Sequence, residues 1–391
     1  MTPTTHLYHA LESYLSQCPK LWKDVRHLRN IVWMMLGMIQ SEKVHPSGFG
    51  VYVKSRAQKA QSKQRRFRRT LSNRRIHLTA VHQHLMRQAL SQWGQKRLYI
   101  SLDTTMLWHC FCVIWVGVVY RGRTIPIAFR VVPHKSSTIG IWYIQRVLRP
   151  VAETLPKSVE VVLLADRGFA DGKLLKYVQQ TLGWHFRVRI KKGFQFQTSD
   201  GQWHKVADLA LAAGSAQFTG PVQLGKTKPY GPVYLAFAQD RQSGEFWSLV
   251  SDAPTTLQTF AQYRLRFQIE ENFLDLKSNG FQMEACRIRD VFALTQLLWI
   301  VALTMLFLIL QGSAVVAQGL RQVVDPHWQR GMSYLKIGWN WIRYAITEQL
   351  KIGVFQFLSS QDDPDPAMAS RRQSEQSFQR EFIVLKGIQA S

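Results

Sequence analysis

A chain of 391 residues with 46% apolar and 12% aromatic residues can bury a large core, which excludes an intrinsically disordered protein. Its 50 Lys+Arg against 25 Asp+Glu leave a net charge of +25, a cationic excess that points to a polyanionic partner, most often nucleic acid. The four cysteines (Cys18, Cys110, Cys112 and Cys286) have no zinc-site spacing; they suit small core positions in a reduced cytoplasm. No signal-peptide pattern opens the sequence.

Residues 1–95 read as a helical, basic region. From Lys43 to Leu102 there is no acidic residue, and 54–75 carries ten Lys+Arg in 22 residues, among them Arg65, Arg66, Arg68 and Arg69. A charge run is ordinarily a solvated face or a mobile arm. Ten cations with no compensating acid favour a DNA-contacting helix and arm.

Strands follow. RLYISLD (97–103), FCVIWVGVVY (111–120) and TIPIAFRVV (124–132) read as a meander with tight turns, the second turn a basic Arg-Gly-Arg at 121–123. A helix is expected over 136–155. VEVVLLAD (159–166) is nearly all apolar, as in a central strand buried on both faces. Another helix over 171–183 and a strand over 184–192 complete a β-β-β-α-β-α-β order, an α/β fold with a mixed sheet covered by helices. Residues 193–250 break the rhythm with short β-like pieces and read as a β-rich insertion. Residues 291–320 carry no charge; on hydropathy they could span a membrane, but a helix buried on all sides of a large domain is the favoured reading. Residues 313–358 return to amphipathic helix, and 359–391 reads as a flexible tail.

The chemistry lies in the carboxylates. Asp103 and Asp166 each stand where an apolar strand runs out. If those strands are neighbours, the two side chains meet at one edge of the sheet. Taken singly, each is as well explained as a cap or turn residue. YRLRFQIEENFLDLK (263–277) reads as a helix that places Tyr263, Arg266, Glu270 and Lys277 within roughly a 60° arc. Glu270 could complete a trio of carboxylates. Oxygen donors of that kind suit magnesium, with manganese as a substitute, and two such ions can drive in-line phosphoryl transfer.

The spacing Tyr263-x2-Arg266-x3-Glu270-x6-Lys277 resembles the signature of DDE transposases of the IS-four insertion-sequence family. LYISLDTT and VVLLADRGFADGKLL are similar to the motifs around that family's two aspartates. The resemblance covers roughly residues 95–312. It implies an RNase H-like catalytic domain over 96–312, with the insertion ahead of the Glu-bearing helix. It implies Asp103, Asp166 and Glu270 as the catalytic, metal-binding trio with two magnesium ions, and Tyr263, Arg266 and Lys277 as holders of DNA phosphates. Trp247 would stack on a base flipped from the DNA end, with a core aromatic as an equally weighted alternative. Arg189 and Lys191 are weaker phosphate candidates. The activity implied is cut-and-paste transposition by a homodimer acting on terminal inverted repeats and target DNA, with no membrane partner. The alternatives are a nuclease of the same fold without strand transfer, or a catalytically idle DNA-binding protein.

Overall fold

The structure, a computed structural model, describes residues 3–241, 243–325, 332–364 and 382–385. Its first hundred residues are helices: α1 (Pro3–Leu15), α2 (Val25–Ser41), the single turn α3 (Pro46–Phe49), α4 (Ala60–Leu71) and α5 (Leu78–Leu90). Local chemistry sets their ends. The Asp24 carboxylate accepts from Arg26 N to start α2, and Glu42 in a left-handed conformation stops it. In α4, Phe67, Thr70 and Leu71 face inward at helical spacing while Arg65, Arg68 and Arg69 stay outside.

The meander expected from the sequence is present as β1 (Arg97–Leu107), β2 (Phe111–Tyr120) and β3 (Arg123–Pro133). Helix α6 (Ile141–Thr154) leads to β4 (Glu160–Ala165), and α7 (Gly172–Lys176) leads to β5 (His185–Arg189). Strands β1, β4 and β5 are parallel neighbours, and β2 and β3 are antiparallel to β1 and to each other in turn. This is the mixed α/β sheet expected, consistent with an RNase H-like fold. It departs from the reading in one place: β1 does not end at Asp103 but continues to Leu107, because Thr104 to Leu107 still pair with β2.

Residues 193–250 are β-rich and precede the Glu-bearing helix, as expected. They form β6 (Gln195–Gln197), β7 (Trp203–Lys205), β8 (Ser215–Leu224), β9 (Tyr230–Gln239) and β10 (Phe246–Ser251). Because β10 pairs with β5, these strands extend the sheet in the order β3-β2-β1-β4-β5-β10-β9-β8-β6-β7. The tail also departs from expectation where it is described: β11 (Ile383–Leu385) pairs with β8, and the Ser360 hydroxyl accepts from Gly94 N. The rest of the expected tail, 365–381 and 386–391, lies outside the described residues.

Helices α8 (Leu257–Arg264) and α9 (Gln268–Lys277) precede α10 (Val291–Ala317), which is followed by the short α11 (Arg321–Val324) and by α12 (Tyr334–Thr347). Helix α10 is apolar enough to cross a membrane, but 94% of its most apolar stretch is buried inside the protein. It packs on β3, α2, α4, α5 and α12. Each fully buried Leu or Ile there contributes about 1.5–3 kcal/mol. One core cluster therefore runs from Leu7 to Leu358, and the boundaries read at 95 and 312 do not separate independent cores. The closest approach is between α10 and α12. A Cβ on Gly312 would collide with the Tyr334 carbonyl oxygen, and one on Gly338 with that of Leu308.

Candidate active site at the carboxyl edge of the parallel strands

The parallel ladder between β1 and β4 pairs Leu102 with Ala165. One step further along stand Asp103 and Asp166, so the two carboxylates sit abreast where β4 ends. Adjacent strands lie about 4.8 Å apart, which fixes the separation of their backbones. Asp103 Oδ1 accepts from Thr104 N at 2.8 Å. Burial pushes its carboxyl up to about 6; Thr104 N–H and the Arg266 guanidinium oppose that rise, while Asp166 and Glu270 add to it.

Residues 263–277 are not one helix. Leu265–Phe267 form a 3-10 turn between α8 and α9. Side chains three apart eclipse in a 3-10 turn, so Tyr263 and Arg266 still share a face, and Arg266 and Glu270 follow at four residues. The face points inward more than the sequence implied. Tyr263 is 0% and Arg266 5% exposed, whereas the Glu270 side chain is 52% exposed.

Arg266 sits between the carboxylates. Its Nη1 donates to Asp103 Oδ2 at 3.1 Å and its Nη2 to Glu270 Oε1 at 2.5 Å. Its guanidinium also lies over the Phe267 ring, 4.6 Å from the centroid. Arg266, expected to hold DNA phosphate, thus pairs with both carboxylates. Among the described residues no three His, Cys, Asp or Glu side chains are drawn together tightly enough to hold a metal ion. The oxygen donors nevertheless suit a divalent cation, since Asp103 and Glu270 already share one positive charge.

The remaining expectations divide. Tyr263 and Trp247 pack together, ring centroids 5.8 Å apart, in a small cluster with Phe260 and Leu249. Trp247 is only 6% exposed and packs in this cluster as a core aromatic would. Tyr263 is equally enclosed, and burial pushes its hydroxyl up. Lys277 ends α9, about 10 Å along the helix from Glu270, and has no ion-pair partner among the described residues. Arg65, Arg68 and Arg69 are exposed on α4, but Arg66 is half-buried and donates from Nε to Asn30 Oδ1 at 2.8 Å. Arg189 is engaged by Glu245 at 2.6 Å.

Two supports were missed. Arg123, read as part of a basic surface turn, donates to the buried Asp275 at 2.7 Å and reaches Glu271 at 3.4 Å, which ties α9 to β3. Glu271 is thereby drawn toward Arg123. Asp252 accepts from Phe186 N at 3.1 Å and bonds Arg187 at 3.2 Å and His185 at 2.6 Å, fixing the start of β5, at the opposite end of the parallel strands from the carboxylates. The acid following strand β10 was the only signal for it.

Residues 113–307 match the model of a family described as the transposase DDE domain. The matched span includes Asp166 and Glu270 and begins ten residues after Asp103. A solved structure, the cryo-EM structure of the piggyBac transposase synaptic complex with hairpin DNA, is similar at 10% identity and a TM-score of 0.44, over 93% of this chain and 88% of that chain. No curated protein matches the sequence.

Proposed function

We propose, from the transposase DDE domain that residues 113–307 match, that the chain is a DNA transposase that cuts its element out and joins it to target DNA. The observation that supports this reading is the placement of Asp103 beside Asp166 at one sheet edge, with Arg266 bridging Asp103 and Glu270. A chain of net charge +25 supplies the attraction for DNA.

Asp103, Asp166 and Glu270 would hold the divalent ions, magnesium or manganese. When bound, such ions lower the pKa of an attacking water or 3′-hydroxyl and stabilise the leaving oxygen. The chain's own residues do the positioning. Thr104 N–H fixes the Asp103 carboxylate, and Arg123 fixes α9 through Asp275. Lys277, unpaired among the described residues and two turns beyond Glu270, is the cation best placed to take a phosphate of the DNA end. Arg65, Arg68 and Arg69 on α4 contact the flanking duplex. The kinship to the IS-four family, the pair of ions, a homodimer bridging two ends and action in the cytoplasm belong to the same proposal.

The test uses the full chain, Mg²⁺ and DNA carrying the inverted repeats that border its gene. Strand cleavage at the repeats, and joining of pre-cut ends to a second duplex, are the expected products. Binding without cleavage would reduce the protein to an idle DNA binder, and cleavage without joining to a nuclease.

A further inference from the structure

A groove of about 660 Å³ lies away from the carboxylates, between α3 and α4 on one side and residues 285–290 on the other. It brings together Arg68 from α4 with Arg287 and Arg289 from the segment linking α9 to α10, residues more than two hundred positions apart in sequence. All three are exposed. Arg68 and Arg287 have no acidic partner among the described residues, so their charge is open. Ser47 and Gln64 add hydrogen-bond donors, and Leu71, Ile288 and Ala293 add an apolar floor. One acid lines the groove, Asp290, and its carboxylate is committed to the start of α10, accepting from Ala293 N at 2.8 Å.

The groove is coupled to the active-site edge. The Arg289 guanidinium lies 3.9 Å from the centroid of Trp108, and Trp108 Nε1 donates to the Glu284 carbonyl at 3.0 Å. Trp108 sits in the turn that follows β1, five residues beyond Asp103. That is roughly 17 Å of strand, about the rise of five base pairs of duplex. One DNA molecule can therefore lie in the groove and reach the carboxylates.

We propose that this groove is a DNA-backbone site in which Arg68, Arg287 and Arg289 hold phosphates of the duplex running from the carboxylates toward α4. The proposal rests on the transposase reading and deepens it: the catalytic half of the chain, through Arg287 and Arg289, shares the duplex with the basic N-terminal helices. Interactions of this kind position DNA without reading its sequence.

The test is binding of a fluorescein-labelled duplex of random sequence to the full chain across a range of salt concentrations. The Arg68→Ala/Arg287→Ala double variant removes two exposed side chains, and an unchanged melting temperature checks its fold. The slope of log affinity against log salt is expected to become shallower by about 1.8, roughly 0.9 for each phosphate that no longer meets an arginine. Affinity at low salt is expected to fall on the order of tenfold or more. Lys226→Ala, in the exposed loop after β8, is expected to leave both unchanged. A double variant that binds with the unmodified slope and affinity, or a Lys226→Ala variant that weakens as much, overturns the groove. If the unmodified chain cleaves repeat-bearing DNA while the double variant binds normally, the groove alone fails. If the unmodified chain binds no duplex, the transposase reading fails with it.

Discussion

Arg266 and Asp103, 163 residues apart in sequence, are joined at 3.1 Å, and the same guanidinium reaches Glu270. One buried cation thus pairs with both Asp103 and Glu270. A divalent ion entering there must displace it. Arg266→Ala is therefore expected to bind Mn²⁺ more tightly than the unmodified chain when DNA is absent, by about tenfold, equivalent to ~1.4 kcal/mol. Electron paramagnetic resonance of free Mn²⁺ measures this directly. Equal affinities would show that the guanidinium does not compete.

Neutralising the carboxylates has the opposite consequence. On the proposed reading, Asp103→Asn, Asp166→Asn and Glu270→Gln each remove a ligand of a metal ion that supplies several kcal/mol to phosphoryl transfer. Mg²⁺-dependent strand cleavage is expected to fall by about a thousandfold or more in each, with duplex binding retained. Retained cleavage in any one variant removes that residue from the trio.

His82 gives the fold an acid sensitivity independent of the active site. It is fully buried against Trp299, ring centroids 5.0 Å apart, and burial holds its imidazole down to about 3. In the unfolded chain it would take up a proton near 6.5. The folded pKa is the lower one, so the unfolded state binds more protons between the two values. The associated stability is complete above pH 6.5 and is lost as pH falls toward 3. Between pH 6.5 and 5 the loss is about 2 kcal/mol. His82→Leu, which cannot protonate, is expected to show a smaller fall in melting temperature over that interval. An identical fall in both proteins would remove His82 as the cause.

The packing of α10 on α12 depends on two glycines. Gly338→Ala would press a methyl group into the Leu308 carbonyl and separate the helices. The expected loss is about 3 kcal/mol or more, at the upper end for overpacking, because backbone must move. Gly140→Ala, where an added Cβ meets nothing within 4 Å, is the matched control and is expected to be tolerated. Thermal melting of the two variants separates close packing from a general intolerance of alanine.

The parts of the site carried by strands were legible in sequence. For Asp166 an apolar run ended by a carboxylate states both burial and edge; β1 runs on past Asp103 to Leu107, and its parallel pairing with β4 sets Asp103 beside Asp166. The helical part was legible only as spacing. Residues at i, i+3 and i+7 satisfy a continuous helix and also one interrupted by a 3-10 turn, so the break at Leu265–Phe267 left no trace. Nor does spacing say whether a polar face meets solvent: Tyr263 and Arg266 turned inward because β10 supplied Trp247 as a packing partner. Arg123 looked like a surface turn because its acid, Asp275, lies 152 residues away. The amphipathic helices of the first ninety residues announced an apolar stripe without naming its target, which proved to be α10.

The enclosure of α10 by helices from both ends of the chain limits how such a protein can be controlled. A product made only of the N-terminal helices would leave the strip that normally covers α10 open to water, a large apolar patch prone to aggregate. A shortened copy is thus a poor antagonist, since it would be lost before it could compete for DNA. Any dominant inhibitor built from this sequence should instead be a full-length chain with a disabled carboxylate, folded normally and occupying the same ends.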